Sequence, residues 1–164
     1  MITIRRYRKE DWPAVWSIIA PVFRAGETYA FSPDITEPEA HNIWIEAPTA
    51  TYVATDENNE VLGTYFIKPN QPSLGAHVCN CGYIVSEKSS GRGIAARMCE
   101  HSQQEAILLG FRSMQYNLVV STNAAAVHLW KKLGFEIIGT LPEAFRHRKQ
   151  GLVDAYVMYK KLRV

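Results

Sequence analysis

The sequence lacks the features that mark membrane, secreted and nucleic-acid-binding proteins. No apolar run approaches the roughly 20 residues of a membrane span, and the N-terminus shows no signal-peptide pattern. Only three cysteines occur in 164 residues, and the net charge is only +2. The basic clusters at 5–9 and 146–149 are short and typical of solvated surface. We therefore expect a cytoplasmic protein with reduced thiols and with neither a membrane nor a nucleic-acid partner.

Repeats, low-complexity tracts and linkers are also missing, so nothing in the sequence suggests an internal domain boundary. Hydrophobic residues make up 47% of the chain and charged residues 21%, which is the composition of an ordinary globular protein. A chain of this length can bury a full hydrophobic core. We therefore expect one domain over residues 1–164.

Hydrophobic periodicity predicts the order βααβββαβαββ, which is a mixed α/β sandwich around one sheet. Asp11 is expected to cap the first helix, and Gly26 is expected to end it. Thr36 and Glu39 fit a capping box at the start of the second helix. The segment PEAFRHRKQG at 142–151 is expected to be a loop between the last two strands.

The stretch 86–97, SEKSSGRGIAAR, is a glycine-flanked turn that opens into a helical pattern. The first N–H groups of a helix have no partner within it, and the helix dipole favours an anion there. The turn is therefore either an anion site or an ordinary strand-to-helix connection that needs glycine for a positive φ. A third glycine for a dinucleotide fingerprint and a Walker-type lysine are both absent, which excludes those two phosphate-binding motifs.

Two ordered motifs make the chain similar to the GNAT acyltransferase superfamily over nearly its whole length. Residues 90–95, SGRGIA, match the phosphate turn Q/R-x-x-G-x-G/A at Gly93 and Ala95, with Ser90 in place of Gln or Arg. Residues 123–135, NAAAVHLWKKLGF, match N-x-x-A-x-x-L-Y-x-K-x-G-F except that tryptophan stands where tyrosine is usual. The resemblance implies a single-domain GNAT fold with a mixed central sheet, helices on both faces and strands that splay apart at the cofactor site. It further implies an N-acetyltransferase that uses acetyl-CoA as co-substrate and no metal.

The resemblance assigns the cofactor to two neighbouring segments and one helix. Main-chain groups at the end of the strand before the turn would bond to the pantetheine arm. The turn would bind the phosphates through its N–H groups, with the charge of Arg92 in addition. The expected cofactor-binding residues are Tyr83, Ile84, Val85, Ser90, Gly91, Arg92, Gly93, Ile94, Ala95, Ala96, Asn123 and Trp130.

Tryptophan at position 130 departs from the family, in which a tyrosine protonates the departing thiolate. An indole N–H is a hydrogen-bond donor that keeps its proton near neutral pH. Trp130 also lies on the apolar stripe of its helix, so we expect it to pack against the pantetheine arm. A thiol with a pKa near 8.5 leaves as thiolate at neutral pH at a cost of roughly 2 kcal/mol, which a few hydrogen-bond donors can offset.

Within the superfamily, the stretches HVCNCG and NLVVSTN resemble the yeast N-acetyltransferase group that modifies the proline analogue azetidine-2-carboxylate. That likeness implies acceptor contacts from Asn80 and Asn117 and places Asn123 near the thioester. Each asparagine also fits a structural role, and Asn123 is a good helix N-cap. We expect Asn117 and Asn123 to contribute to catalysis, together with His77.

The general base is left open between two residues. His77 could accept a proton directly or through water, and Glu27 is the other candidate. Glu27 and Tyr29 belong to the loop AGETYAF, which would cover the acceptor, so both are expected to contact it. His77, Cys79 and Cys81 share one face of a strand, but zinc sites usually draw ligands from more than one element, so we expect no metal.

The leading interpretation is acetyl transfer to the amine of a small molecule, such as an amino or imino acid, by direct attack. A protein N-terminus or an aminoglycoside is the alternative acceptor. A non-catalytic acyl-CoA sensor is the alternative class of protein, because Trp130 replaces the usual acid and the strand before the turn has no carboxylate. A basic RNA-binding module comes third. A homodimer is also expected.

Overall fold

Seven strands and four α-helices make up residues 1–163, the part of the chain that the computed structural model describes. In chain order they are β1 (Thr3–Arg6), α1 (Trp12–Ala25), α2 (Glu37–His41, continued by a π-helical turn over Asn42–Glu46), β2 (Ala50–Thr55), β3 (Val61–Pro69), β4 (Val78–Val85), α3 (Ile94–Leu108), β5 (Ser113–Val120), α4 (Ala124–Lys132), β6 (Glu136–His147) and β7 (Gly151–Lys161). The strands form one sheet in the order β1-β2-β3-β4-β5-β7-β6. The predicted succession of elements is confirmed. No helix within residues 1–163 is long and apolar enough to cross a membrane.

Helices cover both faces of this sheet, as expected. Met98 of α3 and Trp130 of α4 belong to the hydrophobic core on one face, together with Tyr65 of β3. Ile19 of α1 belongs to the core on the opposite face, together with Phe66 of β3. Because neighbouring residues of a strand point to opposite faces, Tyr65 and Phe66 each contribute to a different core.

The strands β4 and β5 run parallel, whereas the other neighbouring strands of residues 1–163 are antiparallel. Their ladder consists of two registered pairs, Val78 with Ser113 and Cys79 with Met114. Beyond these pairs β4 and β5 separate. Further along β5, its register against β7 shifts between Tyr116 and Val119. Such an irregularity bends a strand. A gap between β4 and β5 therefore opens along the second half of both strands.

Two local signals in the sequence set the boundaries of helices as predicted. α1 ends at Gly26, which adopts the left-handed conformation at a φ of 64°. The Thr36 hydroxyl accepts the N–H of Glu39, and the Glu39 carboxylate accepts the N–H of Thr36, both at 3.3 Å. This reciprocal pair is the predicted capping box.

Asp11 is a buried ion-pair residue, and the prediction that it caps α1 is wrong. No N–H group of α1 donates to its side chain. Arg5 instead donates from Nη1 and Nη2 to the two carboxylate oxygens at 2.8 and 2.9 Å, and the N–H of Arg8 adds a third bond at 2.7 Å. A bidentate guanidinium is the stronger partner for a carboxylate, so the tertiary contact prevails over the local cap.

Asp11→Asn should lower the free energy of unfolding by about 2 kcal/mol, because it leaves a partly buried guanidinium without its counter-charge. The Arg5 hydrogen bond, chiefly, lowers the pKa of Asp11 in the folded state. Its contribution is therefore complete above the unfolded aspartate pKa of about 3.9 and is lost as pH falls through the folded value. Urea unfolding at pH 7 and at successively lower pH values measures both effects.

Glu57→Gln is the matched control for this experiment. Glu57 also forms an ion pair, with the N-terminal amine, but both partners are largely exposed. Exposed pairs contribute little, so this variant should unfold like the wild type. If both substitutions lowered the free energy of unfolding equally at pH 7, burial would not make the Arg5–Asp11 pair more stabilising than the exposed pair of Glu57.

β6 runs to His147, so the prediction of a loop over 142–151 is wrong for most of that segment. The register of β6 against β7 shifts after Leu141, where Pro142, Glu143 and Ala144 form a bulge. A bulge leaves a residue without a ladder partner, so the strand can continue past a proline. A turn of three residues then leads into β7.

Candidate active site

The gap between β4 and β5 opens into a cavity of about 500 Å³, which we call the gap cavity. Residues from β3, α4 and the loop after α1 complete its wall. The predicted site residues that line it are Tyr29, Asn80, Tyr83, Ile84, Val85, Ala95, Asn117, Asn123 and Trp130. The fold therefore brings together Tyr29 and Trp130, which lie 101 positions apart in the sequence.

A second cavity, of about 710 Å³, lies at the N-terminus of α3, and we call it the turn cavity. The predicted site residues in its wall are Glu27, Val85, Ser90, Gly91, Gly93, Ile94, Ala95 and Ala96. The two cavities share the lining residues Val22, Thr28, Val85, Ala95 and Leu129. They therefore form one continuous cleft, in which a single elongated ligand can lie.

Free main-chain N–H groups line the turn cavity. α3 begins at Ile94 after Gly93, which has a φ of 74°. Within residues 1–163, the N–H groups of residues 91–96 donate no hydrogen bond, and the N–H of Arg97 is the first to do so. A Cβ atom at Gly91 or Gly93 would meet no atom within 4 Å, so the protein leaves the space beside these donors open. Free donors, a helix dipole and open space together suit a phosphate group.

The loop after α1 is attached to the open edge of β4 by one tyrosine. The Tyr29 hydroxyl accepts the N–H of Tyr83 and donates to the C=O of Tyr83, both at 2.9 Å. The main-chain groups of successive residues in a strand point alternately to its two edges. The N–H and C=O of Tyr83 therefore face the gap, whereas those of Ile84 pair with Thr64 of β3. Ile84 therefore contributes its side chain to the cavity wall, whereas the main-chain groups expected from it are taken up by β3.

Gly82 makes room for this attachment. A Cβ atom at position 82 would lie 2.5 Å from Cε2 of Phe66 and 3.2 Å from the Tyr29 hydroxyl oxygen. Because Phe66 and Tyr29 both line the gap cavity, a side chain at this position would move the cavity wall. The glycine is therefore needed for a close approach rather than for a turn.

Three aromatic side chains form the wall of the gap cavity next to α4. The ring centre of Trp130 lies 5.1 Å from that of Tyr83 and 5.2 Å from that of Tyr116. The Tyr116 hydroxyl donates to the Tyr83 hydroxyl at 2.9 Å, and the latter lies 2.7 Å from Oγ of Ser102. Burial raises the pKa of both tyrosines well above the ordinary value, so these phenols form hydrogen bonds and keep their protons.

The three predicted asparagines all reach the gap cavity, and each also holds the main chain or a neighbouring strand. Asn80 Nδ2 donates to the C=O of Gln115 at 2.9 Å, which bridges β4 and β5 beyond the end of their ladder. Asn117 Nδ2 donates to Asn70 Oδ1 at 2.6 Å, and its Oδ1 accepts from Gln115 at 3.0 Å. Asn123 Oδ1 accepts an N–H group of α4 at 3.4 Å, so the predicted N-cap is confirmed.

Three predicted residues lie away from the part of the site expected of them. His77 is exposed and precedes the paired end of β4, where its C=O accepts the N–H of Arg112 at 2.8 Å. Arg92 is exposed and contributes to neither cavity wall. Glu27 lines the turn cavity, and its carboxylate lies 3.0 Å from Nζ of Lys149. That hydrogen bond is the main reason that the pKa of Glu27 is lowered, which makes the carboxylate a weaker base.

The gap-cavity residues missing from the sequence-based prediction include Tyr116 and Lys68, which both carry polar groups. Tyr116 directly precedes the predicted Asn117 on β5. Lys68 stands opposite Asn80 in the register of β3 and β4. The connection between these strands spans residues 70–77, so no short turn in the sequence fixes their register in advance.

No group of three or more His, Cys, Asp or Glu side chains within residues 1–163 is placed to hold a metal ion. Cys79 and Cys81 are free thiols buried in the core beneath α3. Burial raises the pKa of Cys81, so its thiol is not a ready metal ligand.

A sheet that opens at one parallel pair, beside a helix N-terminus with free donors, defines an α/β domain that suits a long ligand with a phosphorylated end. The chain belongs to the acetyltransferase (GNAT) family, whose model matches residues 10–135. It is therefore an enzyme of that family, and the sheet, the helices on both faces and the gap are the family fold.

Three proteins show the extent of the similarity. The N-acetyltransferase aca1 of Schizosaccharomyces pombe is 30% identical over 148 residues, which are 80% of this chain and 71% of that protein. The L-amino acid N-acetyltransferase AaaT of Escherichia coli is 29% identical over 162 residues, which are 96% of each chain. The solved structure of a GCN5-related N-acetyltransferase from Kribbella flavida has a TM-score of 0.93 and 40% identity, and the match covers 98% of each chain.

Proposed function

We propose that this enzyme transfers an acetyl group from acetyl-CoA to the amine of a small acceptor, such as an amino or imino acid. The observation that carries the proposal is the continuous cleft. Its turn cavity is lined by free N–H donors, and its gap cavity is lined by asparagines and aromatic rings. One end therefore suits the phosphates of CoA, and the other suits a small polar amine.

The turn cavity is assigned to the diphosphate of CoA, and its donors are the N–H groups of residues 91–96. Ser90 lies at its rim, and the exposed Arg92 contributes only charge at a distance. The main-chain groups of Tyr83 that face the gap are assigned to the pantetheine arm, and the Tyr29 hydroxyl has to release them. Trp130 is assigned to packing against the arm, in the aromatic wall that it forms with Tyr83. When bound, acetyl-CoA supplies an activated thioester.

The residues of the gap cavity position the acceptor, and none of them serves as a base. No Asp, Glu or His side chain of residues 1–163 lines this cavity. The acceptor therefore attacks as the neutral amine. A C–N bond forms as the C–S bond breaks, the amine gives one proton to water, and the sulfur leaves as thiolate. His77 is assigned no proton transfer, because it is exposed at the paired end of β4.

An amino or imino acid is the acceptor that we favour. AaaT carries the name of an L-amino acid N-acetyltransferase, and the likeness to the azetidine-2-carboxylate group points to the same chemistry. Asn80 and Asn117 converge on Gln115 at the gap, where amide groups can hold both polar ends of such a molecule. Asn123 is assigned to the thioester end of the gap cavity.

A thiol-release assay against a panel of amines tests this function. The panel contains L-amino acids, L-proline, azetidine-2-carboxylate, an aminoglycoside and a peptide with a free N-terminus. We expect CoA release that depends on the small acids and is at least about tenfold slower with the two larger amines, because the pantetheine arm takes up part of the gap cavity. Calorimetry that detects acetyl-CoA binding without release of CoA for any amine would instead identify a non-catalytic sensor. A cytoplasmic location and a homodimer stay predictions.

A further inference from the structure

Lys68 is the one charged residue in the wall of the gap cavity, among the residues that the structure describes. It lies near the end of β3, and its Nζ is 5.4 Å from the centre of the Phe66 ring. Lys68 stands directly opposite Asn80 in the β3–β4 register, so the Cβ atoms of the two residues are about 5 Å apart. An ammonium group and an amide therefore share one corner of the cavity.

The ammonium group of Lys68 has no counter-charge from the protein. None of the ion pairs found among residues 1–163 includes it, and no carboxylate lines the cavity. Lys149, in contrast, pairs with the carboxylate of Glu27. A cation in a partly enclosed cleft attracts an anion more strongly than the same cation in open water. The gap cavity therefore favours a negatively charged ligand.

The phosphates of the cofactor do not account for this charge. Their donors lie in the turn cavity, and Lys68 is not part of the turn-cavity wall. An acetyl thioester is neutral. The anion that Lys68 attracts therefore belongs to the acceptor.

We propose that Lys68 binds a carboxylate of the acceptor and thereby restricts the substrates to small amines that carry one carboxylate. This inference rests on the proposed function. Asn80 Nδ2 uses one N–H for the C=O of Gln115, and its second N–H is available to the same carboxylate. Phe66 and Tyr29 line the same cavity and supply apolar contact for the rest of the molecule. One positive charge and one amide match a carboxylate rather than a doubly charged phosphate.

The test compares each amino acid with its primary amide, which removes the charge and keeps the side chain. Calorimetry measures binding of the N-acetylated acid and the N-acetylated amide to the enzyme saturated with CoA. Steady-state kinetics measures kcat/KM for the amino acid and for its amide, neither of them acetylated. Each kcat/KM value is divided by the fraction of the amine that is neutral at the assay pH. The proteins are the wild type, Lys68→Gln and Lys68→Arg, and thermal melts and acetyl-CoA affinity show whether the variants are intact.

We expect the wild type to prefer the acid by about 10- to 100-fold in both measurements, which is the range for a hydrogen bond to a charged group. Lys68→Gln should lose this preference by weakening the acid alone, and Lys68→Arg should keep most of it. Equal binding of acid and amide by the wild type, or equal weakening of both in Lys68→Gln, would overturn the inference. A binding preference for the acid without turnover of any amine would support the role of Lys68 and overturn the proposed acetyl transfer.

Discussion

Ser90→Asp should raise the dissociation constant of acetyl-CoA by about a hundredfold, whereas Ser90→Asn should change it by no more than about threefold. The two replacements have nearly the same shape and differ by one negative charge. Ser90 is exposed at the rim of the turn cavity, directly before the free N–H groups of residues 91–96. Two like charges about 5 Å apart at an effective dielectric constant of 20 repel by about 3 kcal/mol, which corresponds to roughly a hundredfold in affinity.

The fold should tolerate the aspartate, because a negative charge near the N-terminus of α3 is favourable to the helix. Calorimetry at 50 mM and at 500 mM salt adds a second criterion. The difference between the two variants should shrink at high salt, because screening weakens repulsion between exposed charges. Equal affinities of Ser90→Asp and Ser90→Asn at low salt would mean that no phosphate binds at this turn.

Local patterns in the sequence predicted the fold where residues close together in the sequence decide the conformation. The Thr36–Glu39 capping box lies within four residues, and Gly26 needs only its own φ to end α1. Asp11 failed as a predicted cap because its partner, Arg5, lies on β1, and the strength of a bidentate ion pair cannot be read from helix periodicity. The bulge in β6 was missed for a similar reason, since a proline within a pattern signals a loop unless a partner strand is known.

Site residues that belong to a short sequence motif could be predicted. Site residues that reach the cavity through the pairing register of two strands could not. The turn before α3 and the N-cap Asn123 come from short sequence motifs. Lys68 reaches the gap cavity only because β3 pairs with β4 so that it faces Asn80. The sequence offers His77 as a candidate base because the strand before the turn has no carboxylate, but the ladder with β5 ends after Cys79, so His77 lies at the closed end. Strand pairing is a non-local property, and sequence patterns carry little information about where a ladder stops.

The loop after α1 shows the same limit for a contact between distant segments. The turn between β6 and β7 reaches this loop, where the N–H of Arg148 donates to the C=O of Gly26 at 3.0 Å. Lys149 then pairs with Glu27. The carboxylate that the sequence offers as a base is therefore committed to a lysine 122 positions away. Only the three-dimensional fold shows that Glu27 belongs to the turn cavity and Tyr29 to the gap cavity.

These placements leave the gap cavity without a group that removes a proton near neutral pH. Its titratable lining residues within 1–163 are Tyr29, Lys68, Cys81, Tyr83 and Tyr116. Burial raises the pKa of the three tyrosines and of Cys81, so these groups keep their protons between pH 6 and 9. The remaining lining residue of this kind, Lys68, is assigned to the acceptor's carboxylate and not to proton transfer. Deprotonation of the acceptor is therefore left to the solvent before the amine attacks.

The acceptor's own amine should consequently set the pH dependence of the reaction. We expect kcat/KM for the acceptor to rise about tenfold per pH unit below the pKa of that amine, and about a thousandfold from pH 6 to 9 when that pKa lies above 9, because only the neutral amine reacts. The rise should level off at the amine pKa, so two acceptors with different amine pKa values should give profiles displaced by that difference. Initial rates of CoA release at saturating acetyl-CoA and low acceptor concentration measure these profiles. A break at one pH for both acceptors would reveal a protein base instead, and His77→Gln and Glu27→Gln would then show which residue supplies it.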